Sequence, residues 1–210
     1  MLDVALIEKC ADPSLTQAIV EQFVAAAGSD DPLAITVKSG GRLVLVPKPQ
    51  SPEAALEVMR EHVGKANVRV GLTQYPAGVG ITDIAQLDAE LVDPCENLKR
   101  GTALFAKVAR IVTKWYGSPT SKEVMPQMFE DAIYAWRTGE FEGTKVFQAE
   151  DPGGATFLRG KPVPNIQSDV KPLDADALGK EPGNPPLADR NANAAEMRID
   201  LSRISDDSRP

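Results

Sequence analysis

Between Val68 and Gly101 the chain carries residues whose types and spacing suit a binding or catalytic site. A strand-like run, Val68–Val70, ends in Gly71-Leu72-Thr73-Gln74, a glycine-rich loop follows, and Asp93-Pro94-Cys95-Glu96-Asn97-Leu98 launches a helix. The loop offers an amide at Gln74 and an aromatic at Tyr75. Acid–base chemistry beside it would need a carboxyl group from elsewhere in the chain. His62, the sole histidine, has no second His or Cys at metal-ligand spacing, so it reads as an exposed or packed side chain and no metal site is expected. Cys10 and Cys95 are too few for a disulfide scaffold, and from the residues alone two buried thiols and a single bridge both stay open.

The elements that must hold these residues follow from periodicity. Leu2, Ala5, Leu6 and Ile7 suit a short amphipathic first helix. Ser14 reads as the N-cap of a helix over Leu15–Ala27, whose apolar face is Leu15, Ala18, Ile19, Phe23 and Ala27. The runs LAITV and RLVLV flank Ser39-Gly40-Gly41 as a β-hairpin, and KSGGR is its polar turn. Ser51-Pro52-Glu53 opens a third helix, and two longer ones are expected over about 95–116 and 122–137, with Pro126 tolerated in a first turn.

After Asp151 the composition changes. That stretch holds 8 of the 17 prolines and one aromatic, Phe157, which is too little apolar surface to offset the entropy of ordering it. We therefore expect a domain over 1–147 and a disordered tail over 148–210, with Ala194–Ile204 as plain tail or a docking helix. A net charge of −7 without a concentrated basic face argues against nucleic acid, and the Lys99-Arg100 pair reads as a solvated helix face. No run of 18 apolar residues exists, so no membrane span is expected. The acids Asp3 and Glu8 and the lack of a basic start do not make a standard secretory signal peptide.

Three segments in order resemble the lytic transglycosylases, in particular their type IV secretion and conjugation branch. That branch reads GLMQIN, FDPCxNIRAG and AYNTGDF. Here the counterparts are Gly71-Leu72-Thr73-Gln74-Tyr75-Pro76, then Val92-Asp93-Pro94-Cys95-Glu96-Asn97-Leu98-Lys99-Arg100-Gly101, then Ala135-Trp136-Arg137-Thr138-Gly139-Glu140-Phe141. The resemblance spans about residues 10–143 and implies a mainly α, lysozyme-like (goose-lysozyme-like) helical domain with a small β-hairpin. It implies substrate contacts by Gly71, whose backbone would approach the glycan, by the Gln74 amide, and by Tyr75 and Trp136 as walls for a sugar ring. Trp136 reads equally as a core aromatic, and Arg137 stands where the family has Asn. The resemblance also implies a disulfide between Cys10 and Cys95.

The family's chemistry rests on one glutamate, in the form AIxxxESxFxPxAI, which protonates the glycosidic oxygen and needs a raised pKa. The matching segment, Ala18 to Ile35, is about four residues longer. Aligned from the helix it puts Phe23 at the acid's place, and aligned back from Pro32 it puts Ala27 there. Glu21 lies roughly 200° around the helix from Phe23 and should face solvent.

The expected function is therefore a plasmid conjugal-transfer component that binds peptidoglycan glycan strands without cutting them. The alternative is an active lytic transglycosylase using Asp30, Asp31 or Glu21 as the acid. No cofactor is implied. The implied partners are peptidoglycan and other conjugation or type IV secretion proteins. The implied compartment is the periplasm, with the cytoplasm as the alternative because of the start.

Overall fold

The computed structural model describes residues 2–119 and 121–154, together with Thr156 and Leu158. The Asp3 side chain accepts the Ala5 N–H and starts α1 (Val4–Cys10). The next helix, α2 (Gln17–Ala27), is capped by Thr16, not by Ser14. The Asp12 carboxylate holds the Ser14 N–H at 2.8 Å, which keeps Ser14 in the preceding turn. Three further helices are α3 (Pro52–His62), α4 (Pro94–Trp115) and α5 (Met125–Thr138). Proline occupies the first turn of each, where no N–H is needed.

The hairpin forms as β1 (Ile35–Ser39) and β2 (Arg42–Val44), turned by Gly40 and Gly41, both at positive φ. It belongs to a larger sheet. Strand β3 (Asn67–Val70) pairs antiparallel with β1, and β4 (Tyr75–Pro76) pairs with β3, giving the order β2-β1-β3-β4. A second, two-stranded ribbon joins β5 (Glu140–Phe141) to β6 (Thr144–Lys145). None of the described helices is long and apolar enough to cross a membrane.

The period of two along the strands gives the sheet two unlike faces. Val37, Val68 and Val70 point to a core shared with Ala55 and Met59 of α3 and with Leu87, Leu91 and Val92. A larger core joins α1, α2, α4 and α5. At its centre Phe23 stacks on Phe105 with ring centroids 4.1 Å apart, and Trp136 meets the two edge-on at 5.1 and 6.0 Å. Each such pair contributes about 0.5–1.5 kcal/mol beyond its buried area.

Described residues beyond the boundary expected at 147/148 contact the domain. Leu158 is 1% exposed and joins the larger core, and the Asp151 carboxylate receives two hydrogen bonds from the Arg110 guanidinium. One buried leucine and one fork-shaped ion pair are enough to hold a proline-bearing segment whose composition alone reads as tail. The stretch 194–204, read as plain tail or a docking motif, lies outside the described residues.

Cys10, the last residue of α1, and Cys95, in the first turn of α4, form a disulfide with Cα atoms 5.3 Å apart. It closes a sequence separation of 85 residues. On the chain-entropy model, reducing it lowers stability by about 4–5 kcal/mol. Denaturant unfolding with and without reductant measures this, and coincident curves would exclude the bridge in solution.

A second prediction concerns the segment past 147. Leu158→Ala should cost about 2–5 kcal/mol, and ending the chain after Phe147 should lower the melting temperature at least as far. The Arg110 guanidinium holds the Asp151 carboxyl below its ordinary range. A depressed carboxylate stabilises the fold above its unfolded pKa of about 3.9 and loses that contribution as pH falls through the folded value. Asp151→Asn should therefore destabilise at pH 7 and have no effect at pH values below both pKa values. Equal melting of the 147-residue chain would restore the earlier boundary.

Candidate functional site

The motif segments meet through one buried side chain. The Asp93 carboxylate caps α4 by accepting the Cys95 and Glu96 N–H groups, which sets Asn97 facing inward. Its Oδ1 accepts from the Thr73 N–H at 2.9 Å and the Thr73 hydroxyl at 2.8 Å. Its Nδ2 donates to the Val70 carbonyl at 3.0 Å and the Leu91 carbonyl at 2.7 Å. Asn97 is 1% exposed, so this amide is spent entirely on the fold.

Gly71 serves that contact rather than a ligand. It sits at φ +71°, and a Cβ there would lie 2.3 Å from the Asn97 amide nitrogen. Gly101, one turn on from Asn97, leaves room for Thr73, whose hydroxyl oxygen would be 2.2 Å from an added Cβ. The side of Gly71 on which a Cβ would stand is thus filled by Asn97.

Beside this lock lies a cavity of about 280 Å³, lined by Ala27, Thr36, Lys38, Asn67, Arg69, Gln74, Trp136 and Arg137. Strand register builds one wall. Thr36 pairs with Arg69 and Lys38 with Asn67, so all four share the sheet face opposite to the valines. The C-terminal ends of α2 and α5 supply Ala27, Trp136 and Arg137.

The expected site residues are placed unequally. Gln74 reaches the cavity, but at φ 51°, and its amide nitrogen donates to the Gly71 carbonyl at 3.1 Å. Tyr75 does not line it. Its cross-strand partner is Val70, which faces the sheet core, so Tyr75 turns to the other side. There it is half-buried, and burial pushes its hydroxyl pKa up. The Trp136 ring is fully buried, and its indole N–H donates to the Thr73 carbonyl at 3.1 Å. It is a core aromatic whose edge closes the cavity, not a platform for a sugar ring.

None of the three candidate acids lines the cavity. Glu21 is exposed and accepts from the Gln17 amide. Asp31 pairs with Lys48 at 2.8 Å, and hydrogen bonds from Lys48 and the Leu33 N–H hold its pKa down, opposite to what a general acid needs. Asp30 is exposed. Of the two registers for the family's glutamate, Phe23 falls in the aromatic core and Ala27 falls on the cavity.

The residue that the sequence reading missed is Arg69. It is 7% exposed, yet among the described residues its guanidinium donates only to the carbonyls of Gln74, Trp136 and Arg137. It also lies over the rings of Trp136 and Phe147, at 5.6 and 5.1 Å from their centroids. Burial pushes its pKa down to about 10, so it remains charged at neutral pH. The alternation in Ile35–Ser39 and Asn67–Val70 carried the signal: valines on one face leave Lys38 and Arg69 together on the other. Among the described residues no group of His, Cys, Asp or Glu is placed to hold a metal.

The lock itself is testable. Asn97→Ala strands the Thr73 N–H and two carbonyls in the interior, at about 1–3 kcal/mol each, so a loss of roughly 3 kcal/mol or more is expected in chemical denaturation. The neighbouring exposed Lys99→Ala should change stability by no more than about 0.5 kcal/mol. Equal effects of the two variants would show that Asn97 is not a keystone.

Comparison with known proteins comes from sequence alone, since no solved structure matches the chain. A protein described as uncharacterized protein y4dP, from Sinorhizobium fredii (strain NBRC 101917 / NGR234), is 57% identical over 205 residues, covering 97% of this chain and 98% of its own length. The family model TraH_2 matches residues 1–206. With the match running through the motif segments, the cavity and the packed segment beyond residue 147, the chain belongs to the TraH_2 family.

Proposed function

We propose that the chain is a component of plasmid conjugal transfer that binds peptidoglycan strands on a lysozyme-like, transglycosylase-like scaffold and does not cut them. Membership of TraH_2 supports the conjugal-transfer part of this reading. The three motif segments support the scaffold, and the Cys10–Cys95 bridge supports work in the oxidising periplasm.

One observation carries the absence of cutting. At the end of α2, where one of the two registers places the transglycosylase glutamate, the cavity presents Ala27, and among the described residues no carboxylate lines it. General acid catalysis is worth roughly 10²–10⁴ in rate. Transglycosylation needs the leaving oxygen protonated, and among the described residues the cavity lining has no carboxyl group to do so.

Purified protein should leave peptidoglycan uncleared in a zymogram at every pH from about 4 to 8, while peptidoglycan pull-down should retain it. Clearing that is abolished by Glu21→Ala, Asp30→Ala or Asp31→Ala would overturn the inactive reading and name the acid. Failure of the pull-down would leave the groove without a glycan role.

A further inference from the structure

We propose that the cavity receives a carboxylate group, and that this carboxylate is one carried by the peptide stems of peptidoglycan. The second clause rests on the peptidoglycan-binding reading above.

The cavity wall concentrates positive charge against the trend of the chain. The whole sequence carries −7, yet Lys38, Arg69 and Arg137 line one concavity and, among the described residues, no acid does. Among the described residues none of the three forms an ion pair. Lys38 and Arg137 are exposed, so water can solvate them. Arg69 is not, since its side chain is buried at the cavity's base.

A buried ion without a counter-charge is costly, and carbonyl dipoles and ring faces compensate only part of the loss. The three carbonyls and two rings around Arg69 orient the guanidinium but do not neutralise it. A carboxylate entering the cavity would supply the missing charge, and the planar guanidinium fork suits its two oxygens. Thr36 and Asn67 stand on the same sheet face with further polar groups. Lys38 and Arg137, at the exposed margin, would draw an anion in and cover it.

Size narrows the ligand. About 280 Å³ lies just below the range of small-molecule pockets, which run from about 300 to 1,000 Å³. That is room for a peptide end or side group, not for a glycan chain threaded through. A neutral sugar would leave Arg69 uncompensated. Peptidoglycan offers both chemistries, uncharged sugars along the strand and carboxylates on its peptide stems.

The test is calorimetric titration of the full chain with three probes: a disaccharide–tetrapeptide, the same compound with its carboxylates amidated, and a peptide-free oligomer of N-acetylglucosamine, which carries no carboxylate. Removing a charged hydrogen-bond partner costs about 1.5–3 kcal/mol, so amidation should weaken binding at least about tenfold. Lys38→Ala and Arg137→Ala, both exposed and expected to fold, should each weaken the carboxylate probe several-fold and leave the amidated one unchanged. Equal affinity for the first two probes, with the glycan oligomer bound, would overturn this inference and leave the peptidoglycan reading standing. Carboxylate-dependent binding without binding of the peptide-free oligomer would keep this inference and remove glycan recognition from that reading. No binding of any probe would overturn it.

Discussion

The side-chain amide of Asn97 is the interaction on which the arrangement of the molecule turns. It accepts from Thr73 and donates to Val70 and Leu91, so one group at the start of α4 fixes the end of β3, the following loop and the segment leading into α4. Four hydrogen bonds from one buried amide leave it no spare capacity. The cost falls on its neighbours. Position 71 must lack a Cβ because the amide fills that space, and position 101 must lack one because Thr73 does. A sequence with either glycine replaced would have to move the loop or the helix. The disulfide holds the same end of α4 to α1, and the Thr102 hydroxyl accepts the Asp12 N–H at 2.8 Å, so the first turns of α4 gather the N-terminal segment as well.

The cavity follows from that lock. Once the loop is pinned, Gln74 is forced to φ 51°, and its carbonyl turns toward the Arg69 guanidinium at 3.3 Å. Arg69 in turn takes the carbonyls at the end of α5, and Arg137 reaches the Ala26 carbonyl near the end of α2. Two arginines thus tie the sheet, the loop and two helix ends around one space. Helix C-termini leave carbonyls unpaired, and cations are the natural groups to satisfy them. The same placement makes the lining positive, so a structural need and a possible ligand preference have one origin.

The helices were legible in the sequence because each carries its own apolar period and an opening signal such as Asp93-Pro94 or Ser51-Pro52. The β-hairpin was legible through Gly40 and Gly41. The N-cap of α2 was not, because Ser14 and Thr16 are both good caps and a hydrogen bond from Ser14 to Asp12 decides between them. The extent of the sheet was hidden because β4 is two residues long and exists only through its pairing with β3. At the site, spacing showed that Gln74 belongs to a loop near a helix end. It could not show that Tyr75 is turned away or that the Trp136 ring is fully buried. Those orientations come from cross-strand register and from an indole hydrogen bond to residue 73, both long-range facts. The segment to Leu158 was hidden for a similar reason, since one leucine in a proline-rich stretch has no periodicity to announce it.

The surroundings of Ala27 bear on whether a general acid could work there. A general acid works when its surroundings raise its pKa toward the working pH, through apolar burial or a neighbouring negative charge. A carboxyl group placed at Ala27 would instead face a cavity that also holds Lys38, Arg69 and Arg137. Nearby opposite charges favour the ionised form, so such a carboxyl would be a strong acid, already deprotonated when the glycosidic oxygen needs its proton. The cations would also pair with it and hold it against the wall. Removing them is not free either, because Arg69 satisfies three carbonyls and packs against two rings. The lining is therefore consistent as a whole: three cations stand around the alanine at the end of α2, and they would favour the ionised form of any carboxyl group placed among them.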